Sequence, residues 1–184
     1  RQTSNVVFIR GLCDSMITQN TFQSGRRSFV VQGGCWRNWL FQNRSSDVGR
    51  GVNGHEEFMS EGGSSCWTGH AEEIDQNLVA LKENLLKRPA VAREFKKAEL
   101  YLCALSGRGF GQYRRVADIK DDKLFVNVAW DVEPDEHSKL ALARASVKNL
   151  WVNNTTGPGS GISQFIYGSG IENIIAGHQM LNDA

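Results

Sequence analysis

Two stretches of the chain decide the fold, GLCDSMITQN (Gly11–Asn20) and GGCWRNWLFQN (Gly33–Asn43). The second repeats the first, since Gly11 and Cys13 recur 22 residues later and the Gln19-Asn20 pair recurs 23 residues later. Short runs of β-branched and aromatic residues, such as MIT and WLF, precede polar corners. A repeat of about 20 to 30 residues without a helical heptad predicts a solenoid that stacks one strand-and-turn unit on the next.

The same rhythm returns near the end of the chain, where Val147, Asn149 and Asn154 recur 24 residues later as Ile171, Asn173 and His178. Parallel strands without crossover helices predict an all-β, right-handed parallel β-helix with protruding β-arms or loops and at most one short helix. We expect one domain over 1–184, with coils at about 5–67 and 140–184, inserted arms at about 68–139, and further coils missing at both ends.

Corner residues carry their own expectations. Asn20 and Asn43 follow the apolar triplets, and we expect them to adopt the left-handed conformation and to bond amide to amide between coils. Cys13 and Cys35 are expected at equivalent coil positions, either as stacked thiols or as a disulfide. The run Gly62–Trp67 reads as a third copy of the Gly33–Trp36 corner. Trp39 and Phe41 are expected to place one ring in the core.

The middle of the chain admits two interpretations. An amphipathic helix broken at Pro89 would align Leu78, Leu81 and Leu85. Alternatively, residues 71–81 and 99–128 form β-arms that turn at Asp75-Gln76-Asn77 and at Asp121-Asp122. The sequence favours the β-arms and leaves helix or strand open for residues 82–98.

Composition limits the classes of partner. The 184 residues are enough for a sizeable core, and 21 basic against 20 acidic side chains give a formal charge of +1. No basic stripe is present, so nucleic-acid binding is not expected. No apolar stretch approaches the roughly 18 residues that a transmembrane helix requires.

Residues 106–140 carry a denser pattern, G-x-G-x-G-Q-x-R followed by W-x-V-x-P-D-x-x-S. The matching residues are Gly107, Gly109, Gly111, Gln112, Arg114, Trp130, Val132, Pro134, Asp135 and Ser138. This segment resembles large secreted right-handed β-helix proteins of the pectin-lyase-like superfamily, with Ala129 where their pattern has a proline. Residues 164–179 resemble the coil that follows, with His178 in place of a corner Asn. We expect Arg114 to be buried and to pair with Asp135.

The resemblance implies the fold more strongly than the activity, because that superfamily holds lyases, hydrolases, epimerases, phage tailspikes and non-enzymatic adhesins. We therefore expect a secreted or cell-surface protein. The main hypothesis is a carbohydrate-active enzyme, a polysaccharide lyase or glycoside hydrolase acting on a cell-wall, capsular or matrix glycan. The alternative is a non-catalytic adhesin, tailspike-like protein or extracellular structural component. Expected partners are the polysaccharide or surface glycan, remaining coils of the same protein, or further copies of it.

The glycine-rich, charged stretch Asp47–Glu61 is the candidate site, interpreted as a loop. Its candidate catalytic residues are Asp47, Arg50, His55, Glu57 and Glu61, and the substrate-binding candidates on neighbouring coils are Arg26, Arg27, Arg37 and Trp36. His55 or an Arg would serve as the base of a β-elimination on a uronate glycan. Glu57 and Glu61 would instead serve as the acid/base pair of a hydrolase, which needs carboxyls ~5–9 Å apart.

The alternative, non-functional interpretation of the same stretch is a solvated loop whose charges only keep it soluble. No cofactor is predicted. A calcium site at Asp47, Glu56 or Glu57 is conceivable, although the D-x-D-x-D-G spacing is absent.

Overall fold

The computed structural model describes residues 6–48, 56–96, 99–158 and 162–181, with backbone alone for 162–165. The chain divides into two compact units. The first, here called the coil unit, comprises Arg1–Gly63 and Ala145–Ala184, and the second, the arm unit, is Ser64–Arg144. Both are built from strands, so the all-β expectation is confirmed.

The first part of the coil unit consists of short strands separated by tight corners. They are β1 (Val7–Arg10), β2 (Met16–Thr18), β3 (Thr21–Gln23), β4 (Phe29–Gln32), β5 (Trp39–Phe41), β6 (Arg44–Ser46) and β7 (Glu56–Glu61). Each strand pairs in parallel with its counterpart one turn later, so that Val7 lies opposite Phe29 and Met16 lies opposite Trp39.

The arm unit contains the antiparallel strands and the helix. Its elements are β8 (Ser65–Gly69), β9 (Ala71–Asp75), β10 (Leu78–Leu81), a 3-10 turn (Leu85–Lys87), α1 (Pro89–Phe95), β11 (Leu100–Ser106), β12 (Tyr113–Lys120), β13 (Lys123–Val126) and β14 (Lys139–Arg144). The strands form one seven-stranded sheet in the order β8-β14-β11-β12-β13-β10-β9. Proline at the first position of α1 fits a helix start, because that residue needs no N–H donor.

The chain then returns to the coil unit with β15 (Ser146–Val147), β16 (Leu150–Val152), β17 (Thr155–Thr156), β18 (Ile162–Tyr167), β19 (Gly170–Ile171), β20 (Ile174–Ala176) and β21 (Gln179–Met180). Three four-stranded parallel sheets result, β1-β4-β7-β18, β2-β5-β16-β20 and β3-β6-β17-β21. Each sheet takes one strand from each successive turn. The coil unit is therefore a stack of turns, and the arm unit is inserted in the third of them.

The two chain ends of this insertion are held by one residue of the following turn. Ser169 N–H donates to the Gly63 carbonyl (3.2 Å), and Ser146 N–H donates to the Ser169 carbonyl (2.9 Å). Gly62 permits this close approach, because a Cβ on it would lie 2.0 Å from the Ser169 carbonyl oxygen. The predicted third corner thus ends at Gly63, and Cys66 and Trp67 belong to strand β8 of the arm unit.

Two columns of buried amides run through the stack. In one, Asn20 N–H donates to Asn43 Oδ1 (3.1 Å) and Asn43 N–H donates to Asn154 Oδ1 (2.9 Å). Asn43 and Asn154 also donate an amide N–H to a carbonyl of the preceding turn; Asn43 Nδ2 reaches the Ile17 carbonyl at 2.9 Å, and Asn154 Nδ2 reaches the Leu40 carbonyl at 2.8 Å. The second column contains Ser15, Asn38, Asn149 and Asn173, with the same pattern. The predicted amide ladder is present, and it is doubled.

The left-handed residue at each corner is not the Asn itself. Gln19, Gln42 and Asn153 have φ values between 52° and 57°, and each directly precedes its ladder residue. The prediction of a left-handed Asn20 and Asn43 was therefore wrong by one position. The preceding residue makes the turn, which leaves the Asn side chain to point inward.

The core of the coil unit consists of Phe22, Phe29, Val31, Cys35, Leu40, Phe58 and Trp151. Leu40 and Trp151 face inward from the middle residue of their strands and are 1% and 0% exposed. Trp39 and Phe41 flank Leu40 and share the opposite face, because side chains alternate along a strand. The expectation that one of these two rings fills the core was wrong.

Cys13 and Cys35 do not stack. Cys13 lies opposite Trp36, and Cys13 is exposed whereas Cys35 is buried. Gly34 adds one residue to the second corner, and a one-residue shift moves a side chain to the other face of a strand. The two thiols are accordingly not joined by a disulfide.

The arm unit follows the β interpretation of the sequence. Its hairpins turn at Gln76-Asn77 and at Asp121-Asp122, and the 3-10 turn and α1 both lie in the stretch that the sequence left open, residues 82–98. Gly107, Gly109 and Gly111 form the turn between β11 and β12, all with positive φ. No helix follows them, so they do not form a phosphate-binding loop.

Arg114 is buried, as predicted, but its partner is not Asp135. Its guanidinium donates to the Ala129 carbonyl (2.8 Å) and to Asp131 (3.0 Å), and it lies 5.1 Å from the Trp130 ring centroid. The Asp135 carboxylate instead lies 2.7 Å from the Ser138 hydroxyl, and this hydrogen bond holds the pKa of Asp135 below its usual range. Asp135 therefore closes a local turn.

The amide ladder predicts a large stability effect for Asn154→Ala. The substitution deprives two buried backbone groups, the Leu40 carbonyl and the Asn43 N–H, of these bonds. Leaving such a group unsatisfied costs about 1–3 kcal/mol, so we expect a loss of roughly 3 kcal/mol in urea denaturation. Asn153→Gly is the matched control, because it removes an exposed amide while keeping the left-handed corner, and it should change little. Equal losses for both would contradict a special role of the ladder.

The glycine turn offers a second matched pair, Gly109→Ala and Gly111→Ala. Both residues have positive φ, which costs alanine about 1–2 kcal/mol. A Cβ at Gly111 meets nothing within 4 Å, whereas one at Gly109 would lie 2.7 Å from the Val132 carbonyl oxygen. We expect Gly109→Ala to lower the free energy of unfolding by about 1–3 kcal/mol more than Gly111→Ala, measured by chemical denaturation. A reversed order would show that these two loops do not pack as described.

Candidate functional site

The predicted loop Asp47–Glu61 is in part a strand. Residues 56–61 form β7, which pairs with β4 on one side and β18 on the other. The loop interpretation was therefore wrong for these residues: Phe58 faces the core, and the strand occupies the interior of its sheet. Arg50 and His55 lie outside the described residues, so their proposed roles remain predictions.

Glu56 forms an ion pair within the wall of the coil unit. Its carboxylate lies 2.6 Å from Arg27 Nε, and both side chains are largely buried. Burial acts to raise the pKa of Glu56, but the Arg27 hydrogen bond, the Glu56 backbone N–H and the charges of Arg27 and Arg26 leave it below its usual range. Arg27, which was predicted to bind substrate, is thus paired with a carboxylate of the protein itself in this structure.

The other candidate carboxylates lie apart. Glu57 is fully buried on β7, and Glu61 is half-buried four residues later on the same strand. At a strand rise of ~3.3 Å per residue their Cα atoms are ~13 Å apart. Asp47 accepts a hydrogen bond from the Ser24 hydroxyl at 3.0 Å, at the corner after β6. These three residues do not converge on one point.

Arg37 and Trp36 belong to another corner, before β5. Arg37 donates two hydrogen bonds to Asp14, at 2.6 and 2.7 Å, and these bonds hold the pKa of Asp14 below its usual range. Arg26 and Arg27 lie between β3 and β4 instead. The predicted substrate-binding cations are therefore divided between two corners of the stack, and they do not line a common groove among the described residues.

The predictions from the sequence did not include a second surface, the outer face of the sheet β2-β5-β16-β20. It carries a continuous apolar patch, here called the outer strip, formed by Met16, Trp39, Phe41, Leu150, Val152 and Ile174. Met16, Trp39 and Ile174 are more than half exposed, at 59%, 52% and 53%. A cavity of ≈ 270 Å³ is lined by Met16, Trp39, Phe41, Leu150 and Val152. Exposed apolar patches bordered by polar groups often mark binding sites.

Two rows of corner residues border the outer strip. Before the strands lies the charged rim, Asp14, Arg37, Lys148 and Glu172, in which Arg37 pairs with Asp14 and Lys148 lies 3.4 Å from Glu172. After the strands lies the amide rim, Gln19, Gln42 and Asn153, in which Gln19 Nε2 donates to Gln42 Oε1 at 3.3 Å. A second cavity, of ≈ 570 Å³, is lined by Lys148, Leu150, Glu172, Asn173 and Ile174.

A sequence signal for the strip exists, although it is weak. The triplets MIT, WLF and LWV are three apolar or nearly apolar residues in a row, and a three-residue strand can bury only its middle side chain. An apolar residue at each flanking position must then face outward. Recognising this requires the register that the corners impose.

Cys66 and Cys103 do not have the character of nucleophiles. Burial raises the pKa of the Cys66 thiol and raises that of Cys103 to about 11. Both thiols are therefore protonated near neutral pH, whereas nucleophilic attack requires the thiolate.

His178 packs its ring edge-on against Phe58, and burial lowers its pKa. Neither ring nitrogen of His178 has a hydrogen-bond partner in the described part of the chain, so His178 does not reproduce there the hydrogen bonds that the ladder Asn residues form.

Comparisons with known proteins give one weak likeness. No family model matches the chain, and no curated protein matches it. Among solved structures it is similar to the tailspike protein gp49 from Pseudomonas phage LKA1, at 9% sequence identity and a TM-score of 0.35, over 86% of this chain and 26% of that chain. The chain therefore spans about a quarter of that tailspike's length. The likeness is a coarse one between all-β structures.

Two further features concern the described residues, 6–48, 56–96, 99–158 and 162–181. No helix there is long and apolar enough to cross a membrane. No group of three or more His, Cys, Asp and Glu side chains within the same residues is arranged to hold a metal ion.

The Glu56–Arg27 pair predicts a pH-dependent stability effect for Glu56→Gln. Glu56 is 8% exposed, and a hydrogen bond to a charged group contributes about 1.5–3 kcal/mol. We expect that loss at pH 7 in urea denaturation. Because the pKa is lower in the folded protein, the pair stabilises above the unfolded pKa and is lost as the pH falls through the folded value. The difference between wild type and variant should shrink as the solution is acidified.

The matched control is Glu136→Gln, an exposed carboxylate of the arm unit, which should change stability little at either pH. A Glu56→Gln loss that grows on acidification would contradict the assigned ion pair.

Proposed function

We propose that this chain is part of an extracellular right-handed parallel β-helix protein that binds a glycan through the outer strip and does not cleave it. The protein would be an adhesin, a tailspike-like component or another surface structure, and residues 64–144 would be arms carried by one β-helix domain. The observation that carries the proposal is the exposed Trp39 in the middle of the outer strip, bordered by polar rims.

The stacked parallel turns support the β-helix part of the proposal. Connections between parallel strands of one sheet are right-handed in about 98% of cases, so the handedness follows from the general rule. Two amide columns and an aromatic core tie the turns together. Such a stack is stiff, as a surface that must present a binding face at a fixed angle requires.

The outer strip supports the glycan. A sugar ring has an apolar face of C–H groups and a polar edge of hydroxyls, so it fits an apolar floor with polar groups at its border. Aromatic rings supply large contact areas at low cost in conformational entropy, and Trp39 and Phe41 provide them here. The rims provide side-chain amides and charges for the hydroxyls.

The arrangement of the carboxylates supports the absence of cleavage. Within the described residues, Glu56 pairs with Arg27, Asp14 pairs with Arg37, and Asp131 pairs with Arg114. Hydrolysis needs two facing carboxyls, and β-elimination needs a base beside a cation that neutralises the sugar carboxylate. The pairs named here hold each other in place.

Trp39→Ala tests the binding part of the proposal. We expect at least a tenfold loss of affinity for whichever surface or capsular glycan the wild type binds on a glycan array, quantified by calorimetry. Stability should change by less than about 1 kcal/mol, because half of this side chain is already in water. Phe110→Ala is the matched control, since Phe110 is an exposed aromatic of the arm unit (72% exposed) and should leave binding unchanged.

Two results would contradict the proposal. Glycan binding that survives Trp39→Ala unchanged would place the binding site elsewhere. Appearance of unsaturated uronate products or new reducing ends on incubation with the wild type, lost in His55→Ala, would favour the enzyme hypothesis instead.

A further inference from the structure

The outer strip is long across the turns and narrow along the strands. Four turns at a strand spacing of ~4.8 Å give ~14 Å in one direction, and three-residue strands give only ~7 Å in the other. With side-chain margins the strip covers roughly 200–250 Å². A stable protein–protein interface buries about 800 Å² on each partner. The strip is too small to hold a second folded protein by itself, and its shape suits a narrow, elongated ligand.

The border of the strip carries almost no net charge. The charged rim contains two cations and two carboxylates, and these occur as the pairs Arg37–Asp14 and Lys148–Glu172. Along the stack, the carboxylates of Asp14 and Glu172 stand at the two ends of the rim, in the first and last turns. The opposite rim holds the amides of Gln19, Gln42 and Asn153, which carry no charge.

A polyanionic ligand is poorly matched to this site. Each sugar carboxylate would lose water against an apolar floor, and a desolvated charge is costly unless it is paired. The two rim cations already face protein carboxylates, and the end carboxylates would repel an anionic chain. A neutral chain has no such cost, and its hydroxyls can both donate to and accept from side-chain amides.

We propose that the ligand of the outer strip is a neutral glycan that runs across the turns, with sugar faces on Trp39 and Leu150 and hydroxyl edges at the amide rim. This inference rests on the proposed function and specifies its ligand. One hexopyranose advances an extended chain by about one strand spacing, so the strip accommodates about three to four sugar units. Gln42 and Asn153 are then the residues that determine preference for hydroxyl arrangement, and Asp14 and Glu172 exclude carboxylated chains.

The test uses three matched pairs of hexasaccharides, each differing only in the group at C6. They are β-1,4-glucan and its C6-oxidised glucuronan, β-1,4-mannan and mannuronan, and methyl-esterified and free galacturonan. Affinity for the full 184-residue chain is measured by calorimetry at low and high salt. We expect at least one neutral member to bind, at least tenfold more tightly than its anionic counterpart, and Trp39→Ala to abolish that binding.

The double variant Asp14→Asn, Glu172→Gln sharpens the test. It leaves Arg37 and Lys148 without these carboxylates and gives the rim two net positive charges. We expect the anionic members to gain at least fivefold in affinity at low salt, a gain lost at high salt, while the neutral members change less than twofold. Both positions are exposed, so the fold should tolerate the change, which circular dichroism would verify.

The outcomes separate this inference from the proposed function. If an anionic member binds the wild type as tightly as its neutral counterpart, and Trp39→Ala abolishes that binding, the glycan function stands and the neutral ligand is overturned. If no glycan binds, both fail. If the wild type self-associates and Trp39→Ala abolishes the association, the strip is a contact between copies, and the neutral ligand is overturned.

Discussion

The coil unit depends on its buried amides. A stack of parallel turns leaves some backbone N–H and C=O groups without a backbone partner at the corners, where the short strands end. One Asn at each of two corners accepts a backbone N–H and donates to a backbone carbonyl of the previous turn, so a single side chain satisfies two backbone groups there. The left-handed residue before each Asn aims that side chain inward. These columns connect successive turns at both ends of the sheet β2-β5-β16-β20.

The register of the strands then determines which side chains are exposed on the outer faces of the sheets. Because the strands between the amide corners are three residues long, only the middle residue reaches the core, as Leu40 and Trp151 do. The outer strip and both rims are consequences of this geometry, since every flanking position is outward by necessity. The arm unit solves the same problem differently: its antiparallel strands satisfy each other, and the side chains of the buried Arg114 and the half-buried Gln112 fix the loops at its edge.

Much of the fold could be predicted from the sequence, and most of the site could not. The repeat at Gln19-Asn20 and Gln42-Asn43, and the turns at Asp75–Asn77 and Asp121-Asp122, gave the ladder and the hairpins because both depend on local residue chemistry. The inference failed where one residue mattered. Gly34 moved Cys35 away from Cys13, and Glu57 is fully buried although it alternates with the core residue Phe58 along β7. Charged residues close in sequence were interpreted as a loop, yet their partners, such as Arg27 for Glu56, come from the neighbouring turn.

The two backbone hydrogen bonds of Ser169 affect how such a chain can change over evolutionary time. Gly63 and Ser146 are both bonded to that one residue, so the two ends of the inserted arm unit are held side by side by the turn that follows. The backbone of the stack is therefore interrupted only by the short gap between Gly63 and Ser146, whatever the inserted segment contains. Recombination could exchange, lengthen or remove the whole of residues 64–144 without altering the register on either side. The third turn is therefore a position at which the coil unit tolerates an insertion, and the arm unit is one of many segments that could be inserted there.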